Sequence, residues 1–232
     1  AAASVPAATA AASVPAATAA ASVPAPSSLD GSNRFMTLKA AVPPSWLDAN
    51  ALAADAVDVA SGPDPDGPIG GDTKRGMKTL PDGLSSLLRG VLMATLAERG
   101  PLGKRDEMEL RLLVSQPGGK PQDPHCDDDP GHPVYQPGSE GSAMCSGVLA
   151  LKAGTKLLIY PDGALGAPKE VPIDAGDLIL FRGDCWHTGA GYTRLNRRFH
   201  FYLSAPRRRR QTGWTWNAAP EAPTSRKRRR SQ

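Results

Sequence analysis

The stretch GDLILFRGDCWHTGAGY, residues 176–192, does most to decide the fold expected of this chain. A Gly-Asp turn precedes the apolar run LILF, which has the length and bounds of a buried strand, and His187 follows shortly after it. Upstream, the segment KPQDPHCD (120–127) places His125 two positions before Asp127. Side chains at i and i+2 of an extended strand face the same side, so His125 and Asp127 can point at one metal ion while the residue between them points away.

Two imidazoles and one carboxylate are the ligand set typical of non-haem Fe(II) oxygenases, which leave one face of the metal open. The pair His125 and Asp127 alone is a weak signal, because HxD occurs by chance in many proteins. The indication comes from combining that pair with His187 and with Arg198, eleven residues further on. The combination favours a metal-dependent oxygenase.

Arg198 opens a stretch, RFHFYLS (198–204), in which polar and apolar side chains alternate. The face of Arg198 continues with polar residues suited to a hydrated ligand pocket, whereas the opposite face is aromatic and aliphatic, as expected of core. A guanidinium offers a bidentate fork to a carboxylate, which suits a site that must fix a ligand's orientation. Arg197, on the other face, stays open as the alternative.

The periodicity of the folded part changes at Gly100. Before it, helical spacing predicts one helix after Pro44 and a second from Asp82, acting as a cap, through Leu96. After it, short apolar runs bounded by Gly, Pro and Asp predict a mostly antiparallel sheet system, with KAGT (152–155) as a hairpin turn. Helices followed by strands predict an α+β domain in which helices back a β-sandwich or jelly roll.

Both ends differ from this domain, whose expected bounds are 33–205 with the jelly-roll core at about 105–205. Residues 1–32 hold three copies of an Ala/Pro-rich nine-residue unit, which cannot bury enough apolar surface to offset its ordering entropy, so we expect disorder. Residues 206–232 carry nine basic residues and one acidic residue; since the whole chain is +4, residues 1–204 sum to −4. Such basic clusters are typical of nuclear-localisation signals or phosphate-binding arms, the alternative being a solvated terminus without a partner.

Three segments of the chain resemble the Fe(II)/2-oxoglutarate-dependent dioxygenases. The most similar group, found in plants, algae and protists, carries PPQxxHxD, GDLxxFxGxxxHxGxxY and a final RxHxYL strand. Here these segments read KPQDPHCD (120–127), GDLILFRGDCWHTGAGY (176–192) and RFHFYL (198–203). The resemblance covers about residues 105–205 and neither end of the chain.

The resemblance implies a double-stranded β-helix that uses Fe(II), 2-oxoglutarate and O2 and hydroxylates a substrate with release of succinate and CO2. It implies no catalytic residue beyond the metal ligands. The implied ligands are His125, Asp127 and His187, and the groups implied to hold the distal carboxylate of 2-oxoglutarate are Arg198 and Tyr160.

Two other classes of protein stay open. A cupin-like jelly-roll module would bind a metal or small ligand without oxidising it, although this chain lacks the HxH and Glu pattern usual in cupins. A nucleic-acid-binding protein would act through the basic tail, where only Trp214 and Trp216 supply aromatic rings for stacking. In all of these interpretations, the oxygenase included, His132 and His200 are expected to be ordinary surface or core histidines rather than metal ligands.

Partners and compartment follow from weaker signals. A protein side chain is the favoured substrate, by analogy of fold alone. Three cysteines without CxxC spacing indicate a reducing, intracellular compartment. The basic clusters indicate the nucleus, through the nuclear import machinery, or contact with nucleic-acid phosphate. No stretch of the chain is long and apolar enough to predict a membrane span.

Overall fold

Antiparallel strands dominate the molecule. The computed structural model describes residues 34–48, 51, 54–55, 74–99, 107–136, 143–204 and 216–217. The regular elements comprise a long helix, Asp82–Arg99, and a short 3-10 helix, Pro133–Tyr135. The strands are β1 (Phe35–Leu38), β2 (Arg75–Thr79), β3 (Glu107–Ser115), β4 (His125–Cys126), β5 (Cys145–Ala150), β6 (Thr155–Ile159), β7 (Lys169–Ile173), β8 (Leu178–Arg182), β9 (His187–Gly189), β10 (Asn196–Ser204) and β11 (Trp216–Asn217).

The strands form two sheets. The larger sheet has the order β1-β8-β5-β10-β3-β2, and the smaller sheet has the order β11-β4-β9-β6-β7. Neighbouring strands are antiparallel in both sheets. From β7 onward, successive strands alternate between the sheets, and β10, the last strand of the larger sheet, lies between β3 and β5.

Each face of the larger sheet has its own apolar layer. Between the two sheets, Val148 and Phe181 of the larger sheet pack with Ile159 and Ile173 of the smaller one. On the outer face, strand residues such as Phe199 cluster with the helix 82–99. The predicted α+β double-stranded β-helix, backed by helices, is therefore confirmed.

The predicted helices form where the spacing of apolar residues indicated. The long helix begins at Asp82 and buries Leu88, Leu92 and Leu96, which recur every four residues. The Ser85 N–H donates to the carbonyl of the residue before Asp82, so Asp82 lies in the first turn rather than at the cap, and its carboxylate there suits the helix dipole. After Pro43, residues 44–48, 51 and 54–55 are helical, as the earlier segment predicted.

The KAGT segment is a turn, but the prediction of a hairpin is wrong. Gly154 has φ of +82°, a left-handed conformation that glycine adopts without strain. The strands on either side do not pair with each other, because β5 pairs with β8 and β10 whereas β6 pairs with β7 and β9. The turn takes the chain from one sheet to the other. Which sheet the next strand joins depends on distant segments, and the local sequence does not encode it.

The two ends fall largely beyond what the structure covers. The nine-residue repeats at 1–32 lie outside the described residues, so their expected disorder stays a prediction. Of the basic tail at 206–232, only Trp216–Asn217 is described; its backbone pairs with β4 at the edge of the smaller sheet. Among the described residues, no helix has the length and apolar character needed to cross a membrane.

Candidate active site

Three side chains predicted as metal ligands meet in the smaller sheet. His125 on β4 lies directly opposite His187 on β9, and their ring centroids are 4.4 Å apart. Asp127 follows β4 immediately, and its Oδ2 is 3.7 Å from Nε2 of His187. All three residues are buried, and one ligand atom from each lies within 4.8 Å of the others. The i, i+2 spacing and the pairing of β4 with β9 therefore bring the three ligand atoms together.

Cys126 points away from this cluster, as strand alternation predicted. Its thiol lies 3.4 Å from the carbonyl oxygen of Asp184, to which it donates. The cysteine is fully buried, so its side chain packs on the side of β4 that faces away from His125 and Asp127.

Backbone carbonyls fix the orientation of both imidazoles. Nδ1 of His125 lies 2.8 Å from the carbonyl oxygen of Asp123, and Nδ1 of His187 lies 2.9 Å from that of Cys185. A carbonyl only accepts hydrogen bonds, so each Nδ1 carries the proton and donates it. The lone pair of each ring then lies on Nε2, the arrangement usual for metal-binding histidines.

The electrostatics also fit a bound cation. Burial lowers the pKa of His125 to about 4, with the adjacent His187 adding to the effect, so the ring is neutral near pH 7. Burial alone would raise the pKa of Asp127, but His187, His200, His125 and the hydroxyl of Ser146 hold it well below its usual range. Oδ2 of Asp127 is buried with no hydrogen-bond partner among the described residues. The neutral imidazole of His125 beside the ionised, unpartnered carboxylate oxygen of Asp127 fits a divalent metal ion, Fe(II) among them.

The segment preceding His125 is held against β9 by a glutamine. The N–H of Gln122 donates to the carbonyl of Gly189 at 3.0 Å, and Oε1 of Gln122 accepts from the N–H of Gly189 at 3.2 Å. The buried guanidinium of Arg75 adds a bond to the same carbonyl at 3.1 Å. These contacts give a physical reason for glutamine three residues before His125.

A buried cation lies on β10 of the opposite sheet. Arg198 is only 3% exposed, and its Nη1 donates to Oγ of Ser115 at 3.1 Å and to Oδ1 of Asn196 at 3.0 Å. Burial lowers its pKa, and among the described residues no carboxylate pairs with it. A buried guanidinium with neutral partners is costly unless an anion completes its environment.

The alternative arginine is already paired with an acid. Nη1 of Arg197 lies 2.7 Å from Oδ1 of Asp55, which belongs to the helical segment on the outer face of the larger sheet. The two arginines thus point to opposite faces of β10, as the alternation of the strand predicted.

Tyr192, which the sequence analysis did not single out, packs against the side chain of Arg198. The guanidinium carbon lies 5.2 Å from the ring centroid of Tyr192, within cation–π range. The Tyr192 hydroxyl donates to the carbonyl of Lys156 at 2.9 Å and accepts from its N–H at 3.2 Å, which fixes the ring on β6. The sequence did contain a signal for Tyr192, because this residue is the last one of the segment that matches HxGxxY.

Tyr160 was expected to bind the same carboxylate as Arg198. It is half-buried just beyond β6, and its role stays a prediction.

A charged cluster fixes the loop that follows Asp127. Arg182 and Asp184 form a bidentate ion pair with both contacts at 2.9 Å, and Arg182 also donates to the carbonyl of Tyr135 at 2.8 Å. The hydroxyl of Tyr135 in turn donates to the carboxylate of Asp128. Since Asp128 is the next residue after a proposed ligand, the cluster holds the ligand's backbone in place.

His200 was expected to be an ordinary histidine, and the structure places it beside the cluster. Its Nε2 lies 3.8 Å from Oδ2 of Asp127. The ring is buried between Phe181, with centroids 6.5 Å apart, and Tyr202, at 4.5 Å. His132, by contrast, accepts from the N–H of Val134 and caps the 3-10 helix.

Solved structures share this architecture. A prolyl-4-hydroxylase of Pseudomonas putida is 18% identical, with 74% of this chain and 92% of that chain covered at a TM-score of 0.55. The non-haem α-ketoglutarate-dependent carbocyclase SnoK of nogalamycin biosynthesis is 15% identical over 74% and 79% of the two chains, with a TM-score of 0.57. A Trichoplax adhaerens prolyl hydroxylase, solved with a hypoxia inducible factor peptide, is 12% identical over 76% and 86%, also at 0.57.

The chain shares its fold with these solved enzymes. No family model and no curated protein sequence matches the chain, so the likeness to these oxygenases is one of structure. It agrees with the double-stranded β-helix that the sequence motifs implied, whereas the resemblance to a plant, algal and protist group stays a prediction.

Proposed function

We propose that this chain is an Fe(II)- and 2-oxoglutarate-dependent dioxygenase that hydroxylates a C–H bond of its substrate. The observation that carries the proposal is the buried set of His125, Asp127 and His187, with both Nε2 atoms and an unpartnered carboxylate oxygen facing one another. Arg198, a buried cation without an acidic partner among the described residues, supplies a second requirement of the reaction.

Each group has a defined task in the reaction. His125, Asp127 and His187 would hold Fe(II), and Arg198 would hold the distal carboxylate of 2-oxoglutarate, with Tyr192 keeping its guanidinium in place. When bound, Fe(II) supplies the oxygen chemistry by which 2-oxoglutarate, O2 and a substrate C–H bond give succinate, CO2 and a C–OH bond.

The proposal extends to the class of substrate and, from charge alone, to the compartment. The Trichoplax prolyl hydroxylase was solved with a peptide, which supports a protein side chain as the substrate here by analogy of fold. The clustered arginines of 206–232 support nuclear import or contact with nucleic-acid phosphate. Deleting 226–230 from a fluorescent fusion should then shift it from the nucleus to the cytoplasm; an unchanged distribution would remove the nuclear part of the proposal.

Anaerobic titration with Fe(II) and 2-oxoglutarate tests whether the chain binds the metal and the co-substrate together. The wild type should develop the visible charge-transfer band of the Fe(II)–2-oxoglutarate chelate, and His187→Ala should not. Arg198→Lys keeps a charge but loses the fork, so it should require about tenfold more 2-oxoglutarate, the effect of one charge-assisted hydrogen bond. The matched change Arg197→Lys on the opposite face should leave the titration unchanged. A folded wild type without the band would refute the proposal.

A further inference from the structure

His200 lies beside the proposed metal ligands and on the same strand, β10, as Arg198. It lies two residues after Arg198 on β10, so both side chains leave the same face of the strand, with their Cα atoms roughly 6.6 Å apart. The intervening Phe199 and the following Phe201 pack on the helix side. Arg198 and His200 therefore both face the space between the two sheets.

The imidazole of His200 lies close to the metal ligands without being one of them. Its Nε2 is 3.8 Å from Oδ2 of Asp127, the oxygen that also lies 3.7 Å from Nε2 of His187. Among the described residues, however, the set of mutually close ligand atoms comprises His125, Asp127 and His187 and does not include His200. Its Nε2 thus lies just outside the ligand set.

Two aromatic rings define where this imidazole lies. The ring of Phe181 is stacked on His200, with centroids 6.5 Å apart, and is tilted against His187 at 4.5 Å. The ring of Tyr202 meets His200 edge-on at 4.5 Å. Packing of this kind keeps Nε2 directed at the ligand cluster, and His200 is only 6% exposed.

A 2-oxo acid bound between Arg198 and the metal ligands would present its second carboxylate to this imidazole. Arg198 would take the distal carboxylate, and the 2-oxo acid end would adjoin Asp127, where His200 Nε2 lies. A carboxylate oxygen is a strong acceptor, and a hydrogen bond to it is stronger than one between neutral groups. We propose that His200 is a co-substrate-binding residue that donates from Nε2 to the 2-oxo acid end of the molecule held by Arg198. This inference rests on the proposed function.

The two ends of the co-substrate can be tested separately, because pyruvate has the 2-oxo acid end and no distal carboxylate. His200→Phe keeps an aromatic ring and removes the donor. It should weaken binding of both 2-oxoglutarate and pyruvate to the Fe(II) protein about tenfold, read from the anaerobic charge-transfer band. Arg198→Lys should weaken binding of 2-oxoglutarate only. Ser204→Ala, further along the same face of β10, is the matched control and should change neither.

A second readout separates co-substrate binding from an effect on the metal. Titration with Co(II) alone, followed by its visible absorption, should give dissociation constants for His200→Phe and wild type within about twofold, since the hydrogen bond is made only to the oxo acid. If His200→Phe weakens Co(II) binding as strongly as oxo-acid binding, His200 acts on the ligand set and the inference is wrong. Unchanged oxo-acid binding in His200→Phe would also overturn it, while leaving the proposed function intact. A wild type that binds Co(II) but neither oxo acid would refute both.

Discussion

At the scale of single residues, the site depends on charges that the fold keeps away from water. His125 and Asp127 are both buried, yet one is held neutral and the other ionised. Arg198 is a cation in the same interior. Buried groups of this kind oppose folding unless they are paired, so their presence points to ligands that complete them.

The low pKa of His125 predicts how the metal-free protein responds to acid. The unfolded ring has a pKa near 6.5 and the folded ring one of about 4, so between these values the unfolded state binds the proton and the native state does not. Stability rises with pH under that condition, and the free energy of unfolding should therefore fall by up to about 1.4 kcal/mol per pH unit as pH drops through this window. Asp127 stays ionised in the folded protein across the window. Because the pKa of its carboxyl returns to about 3.8 on unfolding, it adds to the same slope only toward pH 4.

Urea unfolding in the presence of a chelator, at pH 7, 6 and 5, measures this slope. The matched variant His125→Asn lacks the titrating ring and should show a flatter dependence than wild type. Equal slopes in the two proteins would mean that His125 is not the group that loses its proton on folding.

At the scale of elements, the larger sheet depends on a glycine opposite an aromatic residue. Gly147 on β5 pairs in register with Phe201 on β10, and a Cβ at position 147 would collide with the Phe201 ring. Gly147→Ala should therefore lower the free energy of unfolding by about 1–3 kcal/mol, the usual effect of overpacking a core. Gly90→Ala is the control: its Cβ would meet nothing in the helix, and it should stabilise by roughly 0.5–1 kcal/mol. Comparable midpoints for the two variants in urea would contradict this account of β5 and β10.

The loop after β4 carries a second prediction at this scale. Removing the Tyr135 hydroxyl with Tyr135→Phe breaks its bond to Asp128 while leaving the ring beside Arg182. Because Asp128 follows the proposed ligand Asp127 directly, Co(II) affinity should fall about tenfold, as for other groups that orient metal ligands. Tyr160→Phe removes a hydroxyl that is expected to act only on the co-substrate, so it should leave Co(II) affinity unchanged. Equal affinities in Tyr135→Phe and wild type would show that the loop is held without the bond to Asp128.

Comparing the predicted with the observed secondary-structure elements shows which of them the local sequence determines. The helix 82–99 and strands β3, β5, β6, β8 and β10 were predictable because their apolar spacing is local. The partner strands β1, β2 and β7 were not predicted: β2 and β7 read as polar, and all three exist because a long-range neighbour completes their hydrogen bonds. The same reason explains the error at Gly154, where the turn itself was recognised but the sheet that receives β6 was not.

At the scale of the whole molecule, the proposed site joins the two sheets. The proposed metal ligands lie in the smaller sheet, on β4, after β4 and on β9, whereas Arg198 and His200 lie on β10 of the larger one. The sequence predicted the three ligands and Arg198 from spacing and type. It did not predict Tyr192, Tyr135 or His200 as neighbours of the site, because their roles depend on contacts between distant segments.

A metal ion should accordingly stabilise the whole domain. Mn(II), which favours oxygen and nitrogen ligands and does not oxidise readily, should raise the free energy of unfolding by about 2.7 kcal/mol at a hundred times its dissociation constant. Differential scanning calorimetry of wild type and His187→Ala, each with and without Mn(II), measures the effect. An equal rise in the melting temperature of both proteins would place the metal elsewhere.

The central claim is that one buried site holds a metal ion through His125, Asp127 and His187 and a 2-oxo acid through Arg198. An anaerobic crystal structure of the chain with Mn(II) and 2-oxoglutarate tests it most directly. The account predicts Mn(II) bound by Nε2 of both histidines and the Asp127 carboxylate, with the distal carboxylate of 2-oxoglutarate on the Arg198 guanidinium. Mn(II) held by other residues, or 2-oxoglutarate bound away from Arg198, would contradict it.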